Sequence, residues 1–145
     1  MNTDINNYPE KGKQKKRPNT LTVLCIFTFI IGGIGTFTNL MIASSYEEFM
    51  ELISEESFDL PGAEYLEKAS YGFFLLGTFL YSLSLFGAAQ MWKLRKIGFH
   101  FYLISQILLL VLPFLYIKDY PFPYLDILIA TVFVYLYSRN LKIMN

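Results

Sequence analysis

Apolar residues run almost unbroken through four stretches of this chain, about 20–43, 71–91, 97–117 and 122–138, and polar residues collect in the gaps between them. As a helix the first stretch is roughly 36 Å long at about 1.5 Å per residue, against about 30 Å of bilayer hydrocarbon. The pattern predicts an all-α membrane protein: an up-down-up-down bundle of four transmembrane helices over 20–145, behind a polar tail over 1–19. That tail carries Pro9, Gly12, Pro18 and no hydrophobic period, so it is expected to be disordered. A cleaved signal peptide competes for the first stretch, because basic residues precede it and Ala43-Ser44-Ser45 offers small residues at its end. Signal sequences have about 7–15 apolar residues, so the longer stretch here is expected to be retained.

The gaps have their own patterns. Within 44–70, Tyr46, Phe49, Met50 and Ile53 recur at helical spacing, with Glu47, Glu51 and Glu55 on another face, which predicts a short amphipathic helix. Phe58-Asp59-Leu60-Pro61-Gly62 is expected to break it, and Pro61 suits the first turn of a helix that continues into the second span. The second and third spans meet at Gly87 to His100 with almost no linker, so they form an antiparallel hairpin. Trp92, Lys93, Arg95 and Lys96 in that turn are candidate interface anchors. Lys118-Asp119-Tyr120-Pro121-Phe122-Pro123 makes the last tight turn.

Charge then orients the bundle. The chain has 145 residues, 54% of them hydrophobic, and its net charge of zero comes from opposite charges kept apart. Basic residues gather at Lys11 to Arg17, Lys93 to Lys96, and Arg139 and Lys142, whereas most acids lie between Glu47 and Glu67. By the positive-inside rule both termini are expected to be cytoplasmic and the acidic loop external. The basic tail is also suited to anionic lipid headgroups.

Within the spans, polar and small residues mark faces. Cys25, Thr28, Gly32, Gly35 or Thr36, and Asn39 share one face of the first helix. Gly32 with Thr36, and Ser84 with Ala88, have the small-xxx-small spacing that lets helices approach closely. In the third span Gly98, Tyr102, Ser105 or Gln106, Leu109 and Pro113 line up, and Pro113 is expected to kink its far end. The candidate intramembrane polar residues are Asp126, Gln106, Asn39 and Tyr102. Asp126 has two readings: a carboxylate placed on a helix N-terminal dipole, or part of an ion or substrate path. Gln106 needs partners in hydrocarbon, and Tyr81, Tyr102, Thr36 and Asn39 are the candidates. His100 is expected to anchor the interface near Trp92.

Chemistry is sparse. One cysteine, Cys25, and one histidine exclude an internal disulfide and any cysteine- or histidine-rich metal site. No Ser/His/Asp, Cys/His or phosphate-loop arrangement is present, and the glutamate run lacks the alternating ligands of a calcium loop. No catalytic residue, metal or cofactor is therefore expected, and the protein is not expected to be an enzyme. The partners expected are the lipid bilayer and either another membrane protein or further copies of this chain; nucleic acid is not among them.

The turn Met91-Trp-Lys-Leu-Arg-Lys-Ile-Gly98, together with the size and the Ile/Phe/Tyr/Asn/Lys-rich usage, resembles small four-span membrane proteins of unassigned function from flavobacteria and related bacteria. The resemblance implies a bacterial cytoplasmic (inner) membrane and lends no catalytic residue. Two functions are expected from the residues: a non-enzymatic accessory or interaction subunit, or a small oligomeric transporter or channel with a polar path near Asp126, Asn39 and Gln106.

Overall fold

The computed structural model describes residues 16–54 and 62–145. Its helices are α1 (Asn19–Ser44), α2 (Tyr46–Ser54), α3 (Ala63–Leu66), α4 (Tyr71–Trp92), α5 (Ile97–Tyr116) and α6 (Tyr124–Asn140), followed by a 3-10 turn, Leu141–Ile143. No strand occurs among the described residues. Three helices, α1, α4 and α5, are long and apolar enough to cross a membrane. α6 has 17 residues, about 26 Å at helical rise. Most of the expected tail, together with Glu55 and the breaking segment 58–61, lies outside the described residues.

The surface is inverted relative to that of a water-soluble domain. Phe37 is 64% exposed and Leu115 72%, and such side chains recur along every long helix, a surface that hydrocarbon solvates and water does not.

What holds the bundle is close backbone contact at glycine. At Gly87 an added Cβ would lie 2.8 Å from the Gly98 carbonyl oxygen and 2.8 Å from the Tyr102 nitrogen, and at Gly98 it would collide with the Gly87 carbonyl. α4 and α5 therefore touch main chain to main chain, which only residues without a side chain allow. On the other side of α4, Gly32 of α1 receives Leu85, Gly35 receives the Tyr81 ring, and the Asn39 amide lies over Gly77. Cys25 donates a long hydrogen bond to the Ala88 carbonyl at 3.8 Å. Cys25, Gly32, Gly35 and Asn39 of the predicted α1 stripe thus form the α1–α4 seam.

The α4–α5 turn closes without a glycine. Arg95 N–H donates to Gln90 and Leu94 N–H to Met91, the paired bonds of a Schellman motif. Its left-handed position is filled by Leu94, φ 59°. A side chain there is strained, and two features offset the strain: Leu94 packs against the adjoining core, and its carbonyl accepts from Asn145 N–H at 2.8 Å. Lys96 N–H in turn donates to the Asn145 carbonyl, so the residues after α6 strap the turn.

Two apolar cores result. One, at the basic end, gathers Leu21, Cys25, Met91, Tyr102, Tyr137 and Met144. The other, at the acidic end, joins Ala43, Ala69, Phe74 and Ile117 beneath an aromatic cap of Tyr46, Phe49, Tyr65 and Tyr120. α2 supplies the cap as its pattern predicts, with Tyr46, Phe49, Met50 and Ile53 turned inward and the glutamates exposed. The helix predicted to run from Pro61 into the second span does not form: α3 stops at Leu66 and the chain is extended at Ser70 before α4. The Ala69 carbonyl is instead taken by the Tyr46 hydroxyl at 2.9 Å, which pins the break beneath the cap.

Gly87→Leu or Gly98→Leu is expected to destabilise the detergent-solubilised protein by about 1–3 kcal/mol or more, read as a shift in its denaturant midpoint. Gly33→Ala serves as the control, because an added Cβ there meets nothing within 4 Å, and it should stabilise by about 1 kcal/mol or less. Equal effects at these positions would refute the backbone-contact account.

Candidate functional site

α4 packs along its length on both α1 and α5, whereas α6 leans more sparsely on α1 and α5. The space left between α4 and α6 is a cavity of about 460 Å³. It lies between the two cores and is walled by all four long helices.

The four candidate polar residues converge on it. Asn39 from α1, Tyr102 and Gln106 from α5, and Asp126 from α6 all line this one cavity, with Thr28 of α1, Tyr81 and Ser84 of α4 and Tyr120 adding to its polar lining. The helical spacing that aligned Tyr102, Gln106, Leu109 and Pro113 along α5 also holds, since all four face the same space.

Partners within the lining differ from those predicted. The Gln106 amide donates to the Ser84 hydroxyl at 3.3 Å, not to Tyr81, Tyr102, Thr36 or Asn39. The Gly87–Gly98 contact sets the hairpin register and thereby brings the α5 turn carrying Gln106 across from Ser84. Asn39 donates to the Gly35 carbonyl in its own helix at 2.8 Å. The Thr36 hydroxyl oxygen is buried without a hydrogen-bond partner.

The basic end of the cavity is closed by a polar floor. Thr28 of α1 and Tyr137 of α6 share a buried hydrogen bond of 2.7 Å. The Tyr137 ring meets Tyr102 edge-on at 4.9 Å between centroids. This floor ties α6 to the rest of the bundle, and Tyr137, wholly buried, had not been singled out from the sequence. Tyrosine and threonine on two polar-face positions of separate spans were its only signal.

At the other end the lining reaches Tyr120, Pro123 and Asp126. Asp126 is exposed and stands in the first turn of α6, so it occupies the dipole position and the cavity rim together. Tyr120, in the turn before α6, has its phenol held above its ordinary range, first by burial, then by the Asp126 carboxylate and by Tyr65. Among the described residues no lysine or arginine lines the cavity. Among the described residues no three of histidine, cysteine, aspartate and glutamate gather as metal ligands would.

The predicted anchors stand apart from this site, at the basic end. The Arg17 guanidinium lies 4.1 Å above the Trp92 ring centre, within cation–π range. Lys93, Arg95 and Lys96 are exposed around it, and Arg95 donates to the Gln90 side chain at 3.3 Å. His100 is exposed and its Nδ1 lies 3.2 Å from the Lys96 carbonyl oxygen.

No protein-family model, curated protein or solved structure matches this chain.

Two outcomes follow from the ends of the cavity. In a double-mutant cycle of Thr28→Val and Tyr137→Phe, a coupling near 0.6 kcal/mol, the average for such bonds in membrane helices, is expected from denaturant midpoints; strict additivity would remove the floor bond. For Tyr120, the unfolded phenol titrates near 10 and the folded one higher. Its share of stability is therefore intact below about pH 10 and is lost as pH rises through the folded value. Asp126→Asn removes the second cause and should lower the Tyr120 midpoint, followed by NMR of ring-labelled tyrosine; an unmoved midpoint would disprove the coupling.

Proposed function

We propose that this chain is a non-enzymatic four-span protein of a bacterial cytoplasmic membrane, both termini inside, that binds a small molecule in the cavity between α4 and α6 and passes it along a polar path. One observation carries the reading. Asn39, Tyr102, Gln106 and Asp126, far apart in sequence, line a single cavity of about 460 Å³, within the roughly 300–1,000 Å³ of small-molecule sites. The Gln106–Ser84 bond is interhelical glue, yet the polar lining still edges an open volume.

The fourth span is supported by the charges at its ends, with Asp126 in the first turn of α6 and Arg139 in the last. Positive charge favours the cytoplasmic side. Arg17, Lys93, Lys96 and Lys142 all belong to the same end of the bundle, since Arg17 sits over Trp92 and the backbone of Asn145 pairs with Leu94 and Lys96.

A second reading, an accessory subunit for another membrane protein, rests on a different face. Gly33 lies on α1 with open space where a side chain would be, flanked by exposed Ile30, Ile34 and Phe37. A partner helix could approach closely there.

Single cysteines test the topology in a background where native Cys25 is wholly buried. Glu48→Cys should react with a membrane-impermeant maleimide in intact spheroplasts, and Lys142→Cys only after permeabilisation; the reverse pattern would invert the orientation. Native mass spectrometry of protein released gently from its own membranes tests the function. A small-molecule adduct present in the wild type and lost in the cavity-filling Ala130→Trp is expected. A protein adduct that disappears in Gly33→Trp, with no small-molecule adduct, would replace this reading with the accessory one.

A further inference from the structure

The lining of the cavity is chemically lopsided. Among the described residues Asp126 is its one charged lining residue, placed at the rim, and the other polar groups, the Thr28 and Ser84 hydroxyls, the Asn39 and Gln106 amides and the phenols of Tyr81, Tyr102 and Tyr120, are neutral. The rest is aliphatic or aromatic, with Phe73 and Phe133 adding ring surface. A carboxylate without a basic neighbour among the described lining residues sets a negative potential at the rim. Aromatic faces add to the attraction of a cation and not of an anion.

Each alternative ligand class meets an obstacle in this lining. An anion faces Asp126 with no lysine or arginine among the described lining residues to receive it. A calcium ion takes about six to eight oxygen ligands, several of them carboxylates, and among the described residues no three of histidine, cysteine, aspartate and glutamate gather here. A strongly hydrated inorganic monovalent cation would surrender water for hydrocarbon surface. A neutral apolar molecule leaves the carboxylate unused.

We infer that the cavity takes a monovalent organic cation with an apolar body, its charge set against Asp126 at the rim and its body against the rings and aliphatic wall of the interior. This rests on the cavity being the binding site proposed above. Asp126 is the residue that selects charge, and the interior selects shape.

The test uses the full chain in phosphatidylethanolamine and phosphatidylglycerol nanodiscs, with binding measured by equilibrium dialysis against empty discs. Its probes are tetraphenylphosphonium and tetraphenylborate, which share a shape and differ in the sign of charge. Saturable binding of the phosphonium, at least about tenfold tighter than the borate, is expected. Asp126→Asn should weaken the phosphonium by about tenfold or more and abolish the preference, while Asp126→Glu retains it. Equal binding of both ions, indifferent to Asp126→Asn but lost in Ala130→Trp, would overturn the cation inference and leave the cavity reading standing. Phosphonium binding that survives both Ala130→Trp and Ile129→Trp would overturn the two together, as would no saturable binding by the wild type. Circular dichroism of each variant confirms that a loss of binding is not a loss of fold.

Discussion

The contact of Gly87 with Gly98 is the constraint on which the rest of the architecture depends. Apolar surface provides little reason for helices to associate in hydrocarbon, because lipid tails solvate it as well as another helix does. Close packing has to supply the attraction, and here two main chains meet where neither residue carries a side chain. That contact sets the register of α5 on α4. Register places Gln106 opposite Ser84 and Tyr102 beside Tyr137, and so determines which polar groups face inward.

The same economy explains why a cavity persists. α1 and α5 hold α4 closely from two sides, using glycine and alanine positions, whereas α6 makes its firm contacts near the basic end through Tyr137 and the residues after the helix. Toward the acidic end α6 starts from a turn containing Pro121 and Pro123, with Asp119 at φ 61°. The helix is thus fastened at one end and spaced by the turn at the other. The volume between them is edged by side chains that need polar contacts yet do not saturate one another.

Much of this was legible in the chain. Long apolar runs predicted α1, α4 and α5 within a residue or two, because crossing hydrocarbon demands that every backbone group be satisfied within the helix. The inward face of α2 followed from simple period, and the α1 stripe from the positions of Cys25, Gly32, Gly35 and Asn39. What stayed hidden depended on distance. The break after Leu66 requires Tyr46 to reach Ala69 across 23 positions, and no local propensity encodes that. Leu94 in a left-handed turn contradicts local preference and is held by Asn145 from the far side of the sequence. For Gln106, residue type announced a need for partners, but only the hairpin register selected Ser84. The four polar residues were identifiable singly; that they share one volume is a property of helix packing, which composition does not carry.

The polar floor also bears on how the molecule is made. Gly87 and Gly98 are neighbours in the chain, so α4 and α5 can pair as a hairpin soon after both leave the ribosome. Thr28 and Tyr137 are 109 positions apart, and their bond must wait until α6 has been synthesised. During that interval the Asn39–Gly35 and Gln106–Ser84 bonds can already form within α1, α4 and α5, so these groups do not depend on α6 for a partner. The final helix therefore adds the Thr28–Tyr137 floor and the Asp126 rim to a cavity that the earlier three helices only begin.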